Sequence, residues 1–289
     1  MLSGRILRLL ERLLRITVFA ALAFAGTFSA YALWDNRQVY AAAETVQADM
    51  LRLKPPETGA DDGASFEELL AINGDVRAWL TLDGTNIDYP VLQGADNLAY
   101  INRDVYGSFS LAGSIFLDAA ADAQFSDRYS VLYGHHMEEH RMFGDLDLYK
   151  EAAFFRSNRT GALLLPERSY RLEIFAVLTV PASEERIFHA ALWQDGFAGL
   201  LDYARDNALH FSPDTANALP PDGRVLALTT CSSEFTIARP VVRAAVQGGY
   251  GCCERSVRAV LRRDEYPVHR IVLHHARAAP AALAHGVAV

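Results

Sequence analysis

A chain of 289 residues with 51% hydrophobic and 21% charged positions can bury a sizeable core, which excludes a disordered or fibrous protein. Its formal net charge of -8 leaves no basic surplus to neutralise phosphates. Nucleic acid is therefore excluded as the main partner, and chemistry on peptides or small molecules is the expectation.

Residues 1–15 carry Arg5, Arg8, Arg12 and Arg15 against Glu11 alone, and Ile16 to Trp34 then runs without a charge. At about 1.5 Å per residue that run just spans a hydrocarbon core of about 30 Å. The basic flank predicts a cytoplasmic N-terminus, a single transmembrane anchor over 16–34, and everything beyond Trp34 outside the cell membrane. Ser29-Ala-Tyr-Ala32 offers the small residues of a cleaved secretory signal as an alternative. Both readings put the rest of the chain outside.

Residues 35–72 read as a helical stalk and a packing helix: an Ala-rich stretch, a Pro55-Pro56 break, a polar loop, and Phe66 to Ile72 after a Ser65 cap. From Trp79 strand signals take over. Eight runs rich in β-branched and aromatic residues follow, bounded by Gly, Asp or Pro: WLTL, NIDYPVLQ, GSIFLDA, YSVLYGH, GALLLPE, YRLEIFAVLTV, RVLALTT and RPVVRAAV. They predict a mainly β domain over 73–248, with the eight strands closed into a barrel. Two helical insertions interrupt them, one over Met142–Ser157 and a longer one over Ala191–Leu209, where Leu192, Phe197, Leu200, Leu201 and Ala204 share a face. The tail, 249–289, departs from this pattern and has no assigned role.

The chain holds three cysteines, two of them the adjacent Cys252 and Cys253. Cys231 is thus expected as a free thiol, which is unusual outside the cell. It ends the run Arg224-Val-Leu-Ala-Leu-Thr-Thr-Cys231, and Arg239 opens the next run. If the two runs pair, a thiol and a guanidinium meet at one end of the sheet. An unperturbed thiol of pKa near 8.5 is only a few per cent thiolate at neutral pH, so a nucleophilic cysteine needs help to ionise. The run ending at Tyr133-Gly-His135-His136 brings a histidine to another strand end, where it can act as base and later as proton donor to a leaving amine. A guanidinium aimed at a carbonyl oxygen can stabilise the charge that acyl transfer builds there.

Read together, Thr85-Asn-Ile-Asp-Tyr-Pro-Val-Leu-Gln93, Asp96-Asn97 with Tyr100, Gly113-Ser-Ile-Phe-Leu-Asp118, Tyr133-Gly-His-His-Met137, Met142-Phe-Gly144, Leu228-Thr-Thr-Cys231 and Arg239 resemble the class B sortases, membrane-anchored cysteine transpeptidases of Gram-positive bacteria. The resemblance covers roughly residues 79–247. It implies an eight-stranded sortase-like β-barrel with N-terminal helices and a long helix inserted before the cysteine strand. It implies His135, Cys231 and Arg239 as the catalytic set, with Thr229 and Thr230 lining a substrate groove and Asn86 and Leu92 as further candidates from the strand opposite. The implied partners are the sorting-signal peptide of a surface protein and an amine acceptor on a peptidoglycan precursor or a pilin. No cofactor is implied. No metal site is expected either: His136 and His140 stand four apart without the glutamate of a zinc motif, and Asp145 and Asp147 lack the glycine and terminal glutamate of a calcium loop. A hydrolytic cysteine peptidase using the same residues, or an anchored binding module with an inert thiol, are the alternatives.

Overall fold

The computed structural model describes residues 2–56, 66–181, 184–196, 198–220, 223–230 and 239–251, with the backbone alone described over 239–251. The N-terminal charge-free run forms part of one helix, α1 (Leu2–Leu51), which is long and apolar enough to cross a membrane by length and composition. Among the described residues, only its last turns pack on other elements: Val39, Tyr40 and Ala43 against one apolar cluster, Val46 and Met50 against another. It ends just before Pro55-Pro56, as a chain that must enter two prolines should. A short helix, α2 (Phe66–Ile72), buries Phe66 and Leu69 beside Met50.

All eight predicted runs are strands. They are β1 (Val76–Leu82), β2 (Asp88–Leu92), β3 (Ile115–Leu117), β4 (Tyr129–Gly134), β7 (Thr160–Leu164), β8 (Arg168–Val180), β10 (Arg224–Thr230) and β11 (Arg239–Gly251). Three two-residue strands join them: β5 (His136–Met137), β6 (Arg141–Met142) and β9 (His210–Phe211). The main sheet runs β11-β10-β4-β3-β2-β1-β7-β8-β9, and β5 pairs with β6 in a separate hairpin. Alternate residues feed apolar clusters on the two faces, with Leu80, Leu82, Leu132, Leu226 and Leu228 in one and Trp79, Val131, Tyr133, Val225 and Ala227 in the other. Full burial of side chains of this size contributes about 1.5–3 kcal/mol each.

The closed eight-stranded barrel expected from the run count is met in part, as a curled sheet with a thin far wall. β11 lies between β10 and β8, so the curl brings two flanks of the sheet together along it. On the far wall β3 is three residues long, and its ladders are reduced to Val91↔Ile115 and Leu92↔Phe116 on one side and Phe116↔Tyr133 and Leu117↔Leu132 on the other. Counting apolar runs finds strands but not the length over which they pair.

The insertions also differ from expectation. Residues 142–157 form a 3-10 turn (Gly144–Lys150) and α3 (Ala152–Ser157). Beyond β8 there is no long helix among the described residues, only α4 (Glu185–Phe188), a 3-10 turn (Ala190–Trp193), α5 (Ala198–Asn207) and α6 (Pro213–Asn217). Leu200 and Ala204 are buried as predicted, whereas Leu192 lies in the 3-10 turn and is exposed, and Phe197 falls outside the described residues. The turn at Asp195-Gly196 breaks the phase that a single helix would have carried from Leu192 to Leu200. β11 runs through Gly248-Gly249 to Gly251, with a register shift between Gln247 and Tyr250.

Asp88 stitches the N-terminal segment to the sheet. Its carboxylate accepts from Trp79 Nε1 at 2.6 Å, from Thr81 Oγ1 at 2.9 Å and from Lys54 Nζ at 3.0 Å.

Candidate active site

β4 and β10 run parallel and in register, ending level at Thr230↔Gly134. β11 runs antiparallel beside β10, and its first residue, Arg239, pairs with Val180 at the end of β8. Four strand ends therefore converge on one edge of the sheet. His135 leaves β4 there.

The glycine before it is required by packing. A Cβ on Gly134 would stand 2.4 Å from Ile115 Cδ1 and 2.8 Å from the ring of Phe143. Phe143 is fully buried, and its N–H donates to the His135 carbonyl at 3.0 Å, so the Tyr-Gly-His and Met-Phe-Gly motifs lock onto each other. The His135 ring is half-buried, with Nε2 2.6 Å from the Ile101 carbonyl.

The other expected site residues are distributed unevenly. Thr229 and Thr230 are buried, and Thr229 Oγ1 has no hydrogen-bond partner among the described residues. Leu92 is buried in the apolar cluster with Trp79 and Phe116. Asn86 is exposed in the β1–β2 turn; its N–H donates to Asp145 at 2.7 Å and its carbonyl accepts from Gln47 at 2.9 Å. Cys231 lies outside the described residues, and Arg239 is described by its backbone.

Sequence reasoning gave no role to a polar network behind His135. The buried Asp118 carboxylate accepts from Tyr133 Oη at 3.0 Å and Asn97 Nδ2 at 3.1 Å, and Asn97 Oδ1 accepts the Ala119 N–H at 2.7 Å. This fastens the segment after β2 to the end of β3 and to β4. Its signal was present in the Asp96-Asn97 and Leu117-Asp118 motifs, but nothing in the sequence joins them.

The hairpin after His135 is held by two histidine–aspartate pairs. His140 Nδ1 lies 2.5 Å from the buried Asp145 carboxylate, and His136 Nε2 lies 3.1 Å from Asp147, which also pairs with Lys150 at 2.7 Å. Glu139, His140 and Met142 all have positive φ, so these pairs secure a backbone that would otherwise relax. The hydrogen bond to Asp147 raises the His136 pKa above its ordinary 6.5, partly opposed by burial, and the same bond is the main cause holding Asp147 down at about 2. The raised histidine stabilises below 6.5 and loses that contribution as pH rises through its folded value. The depressed aspartate stabilises above its ordinary 3.8 and loses that as pH falls through about 2. The pair therefore acts between about pH 4 and somewhat above 6.5. Because both groups are partly solvated, His136→Gln is expected to cost up to about 1 kcal/mol near pH 5 and less above pH 8. Denaturant midpoints of parent and variant at the two pH values check this, and a gap that widens with pH contradicts it.

No family model matches the chain. Among solved structures, a class B sortase of Streptococcus pyogenes involved in pilus biogenesis is 34% identical, with a TM-score of 0.58, matching 63% of this chain and 97% of that one. The chain belongs to the class B sortases. Sortase B of Clostridium perfringens is 30% identical at a TM-score of 0.57, over 64% of this sortase and 100% of that chain. Sortase B of Listeria monocytogenes is 27% identical over 228 residues, 78% of this sortase and 91% of the relative. The protein is thus a cysteine transpeptidase of the sortase kind, a family that acts on sorting signals, and its N-terminal apolar helix suggests a membrane anchor.

Proposed function

We propose that this sortase is a cell-surface enzyme in which Cys231 attacks the carbonyl of a sorting signal, forms a thioacyl intermediate, and passes the acyl group to an amine on a peptidoglycan precursor or a pilin. His135 takes the thiol proton and returns it to the leaving amine. Arg239 donates to the carbonyl oxygen as charge develops there. Residues 16–34 anchor the chain, with 1–15 cytoplasmic and the domain over 73–248 outside.

The observation that carries this reading is strand register. Thr229 is level with Tyr133 on one side and with Val241 on the other. Thr230, which precedes Cys231 in sequence, is level with Gly134, which precedes His135, and Arg239 opens β11 beside β10. A guanidinium and an imidazole flanking a thiol favour its thiolate form. The Streptococcus pyogenes relative involved in pilus biogenesis lends support to a pilin acceptor.

The test uses the full chain in detergent micelles with a library of fluorogenic sorting peptides, with and without triglycine. Cleavage of one motif class, with ligated product displacing hydrolysed product as triglycine rises, is expected. Hydrolysed product alone at saturating triglycine identifies a peptidase instead, and a thiol of ordinary reactivity with no turnover identifies a binding module.

A further inference from the structure

The segment between β2 and β3, residues 93–114, contains motifs that the catalytic set leaves unused: Tyr100, Gly113 and Ser114. Its ordering centres on Ile101. The Tyr100 hydroxyl donates to Asp75 at 2.7 Å and accepts from Asn73 Nδ2 at 3.0 Å, and Asn73 Nδ2 also reaches the Val105 carbonyl at 2.8 Å. The Tyr100 carbonyl accepts the Ser114 N–H at 3.1 Å, and Ser114 Oγ donates to the Arg103 carbonyl at 2.8 Å. The residue before Ile101 is thus tied by both its side chain and its backbone.

Gly113 completes the arrangement. Its φ is +59°, and a Cβ there would stand 2.5 Å from the Ile101 carbonyl oxygen and 2.9 Å from that of Tyr100. Any side chain would therefore push against the oxygen that His135 Nε2 meets at 2.6 Å.

From this we infer that the Ile101 carbonyl, held in place by Gly113 and the Tyr100 tether, is the positioning group for His135, in the role a carboxylate fills in other nucleophile–histidine pairs. A carbonyl oxygen can only accept, so Nε2 carries the proton, and Nδ1 is the nitrogen that exchanges a proton with the thiol and the leaving amine. A neutral acceptor fixes tautomer and ring orientation without adding a negative charge to the site. The inference rests on His135 being the proton carrier.

The experiment reads the tautomer directly. Full-length protein labelled with nitrogen-15 at histidine, in micelles well above neutral pH, is examined by long-range nitrogen–proton correlation, with His135→Gln identifying the signal. The Nε2–H tautomer of neutral His135 is expected, and the Nδ1–H tautomer overturns the proposal. Gly113→Ala is expected to lower kcat by about 10- to 100-fold with KM little changed, and to weaken the tautomer preference. Lost activity with the tautomer intact, or no change in either, also overturns it. If Gly113→Ala does not fold, the parent's tautomer still decides. Full turnover in His135→Ala would remove the proton-carrier reading while leaving the tautomer result standing, so the two failures are separable.

Discussion

Cys231→Ala is expected to eliminate cleavage of a fluorogenic sorting peptide, by on the order of 10⁴- to 10⁶-fold, with the fold intact. Losses of that size follow when the nucleophile of a coupled catalytic set is removed, because the remaining groups then have nothing to activate. The ladder over Arg224 to Thr230 does not include the substituted residue, so the thermal midpoint should move by no more than a few degrees. Peptide turnover and a melting curve on the same preparation check both halves. Mass spectrometry of parent enzyme quenched during turnover should also reveal an acyl adduct on Cys231. Retained turnover in the alanine variant would sink the mechanism.

Arg239→Ala is expected to reduce kcat by about 100- to 1,000-fold, the usual loss when one preorganised donor to a developing oxyanion is deleted. The effect should fall on kcat more than on KM, since the oxygen carries its full charge only near the tetrahedral state. Arg239→Lys should recover only part of the rate, because an ammonium lacks the directed planar donors of guanidinium. Steady-state kinetics on the three proteins distinguishes the roles. Activity of the alanine variant within about twofold of the parent means that another donor holds the oxygen.

The strands were legible because each combines β-branched or aromatic residues with a Gly, Asp or Pro boundary, as in Asp88–Leu92 and Arg224–Thr230. The thin wall at β3 was not, because ladder length depends on how residues 93–114 bring the chain back, and that loop leaves β3 only three residues to pair. The helix over 191–209 was read as one element because its apolar residues keep a helical spacing across a break that a single glycine at position 196 introduces. At the site, the expectation that His135 follows a strand and Arg239 opens one matches β4 and β11, while Cys231 lies outside the described residues. The Ile101 carbonyl was not legible: every residue has one, and only the fold selects which oxygen meets an imidazole. Thr229 and Leu92 are buried in the sheet, and burial of that kind cannot be read from a strand run alone.

α1 is unbroken from Leu2 through Leu51, and the face that grips the rest of the molecule begins at Val39. No swivel separates its exposed apolar stretch from that grip. Each residue inserted between the two would lift the domain by about 1.5 Å and turn it by about 100°, so height and heading cannot be adjusted separately. If the apolar stretch anchors the chain as proposed, the helix is a keyed shaft as well as a tether. The direction in which the His135 edge faces, around the axis of α1, is set by the number of residues between Trp34 and Val39.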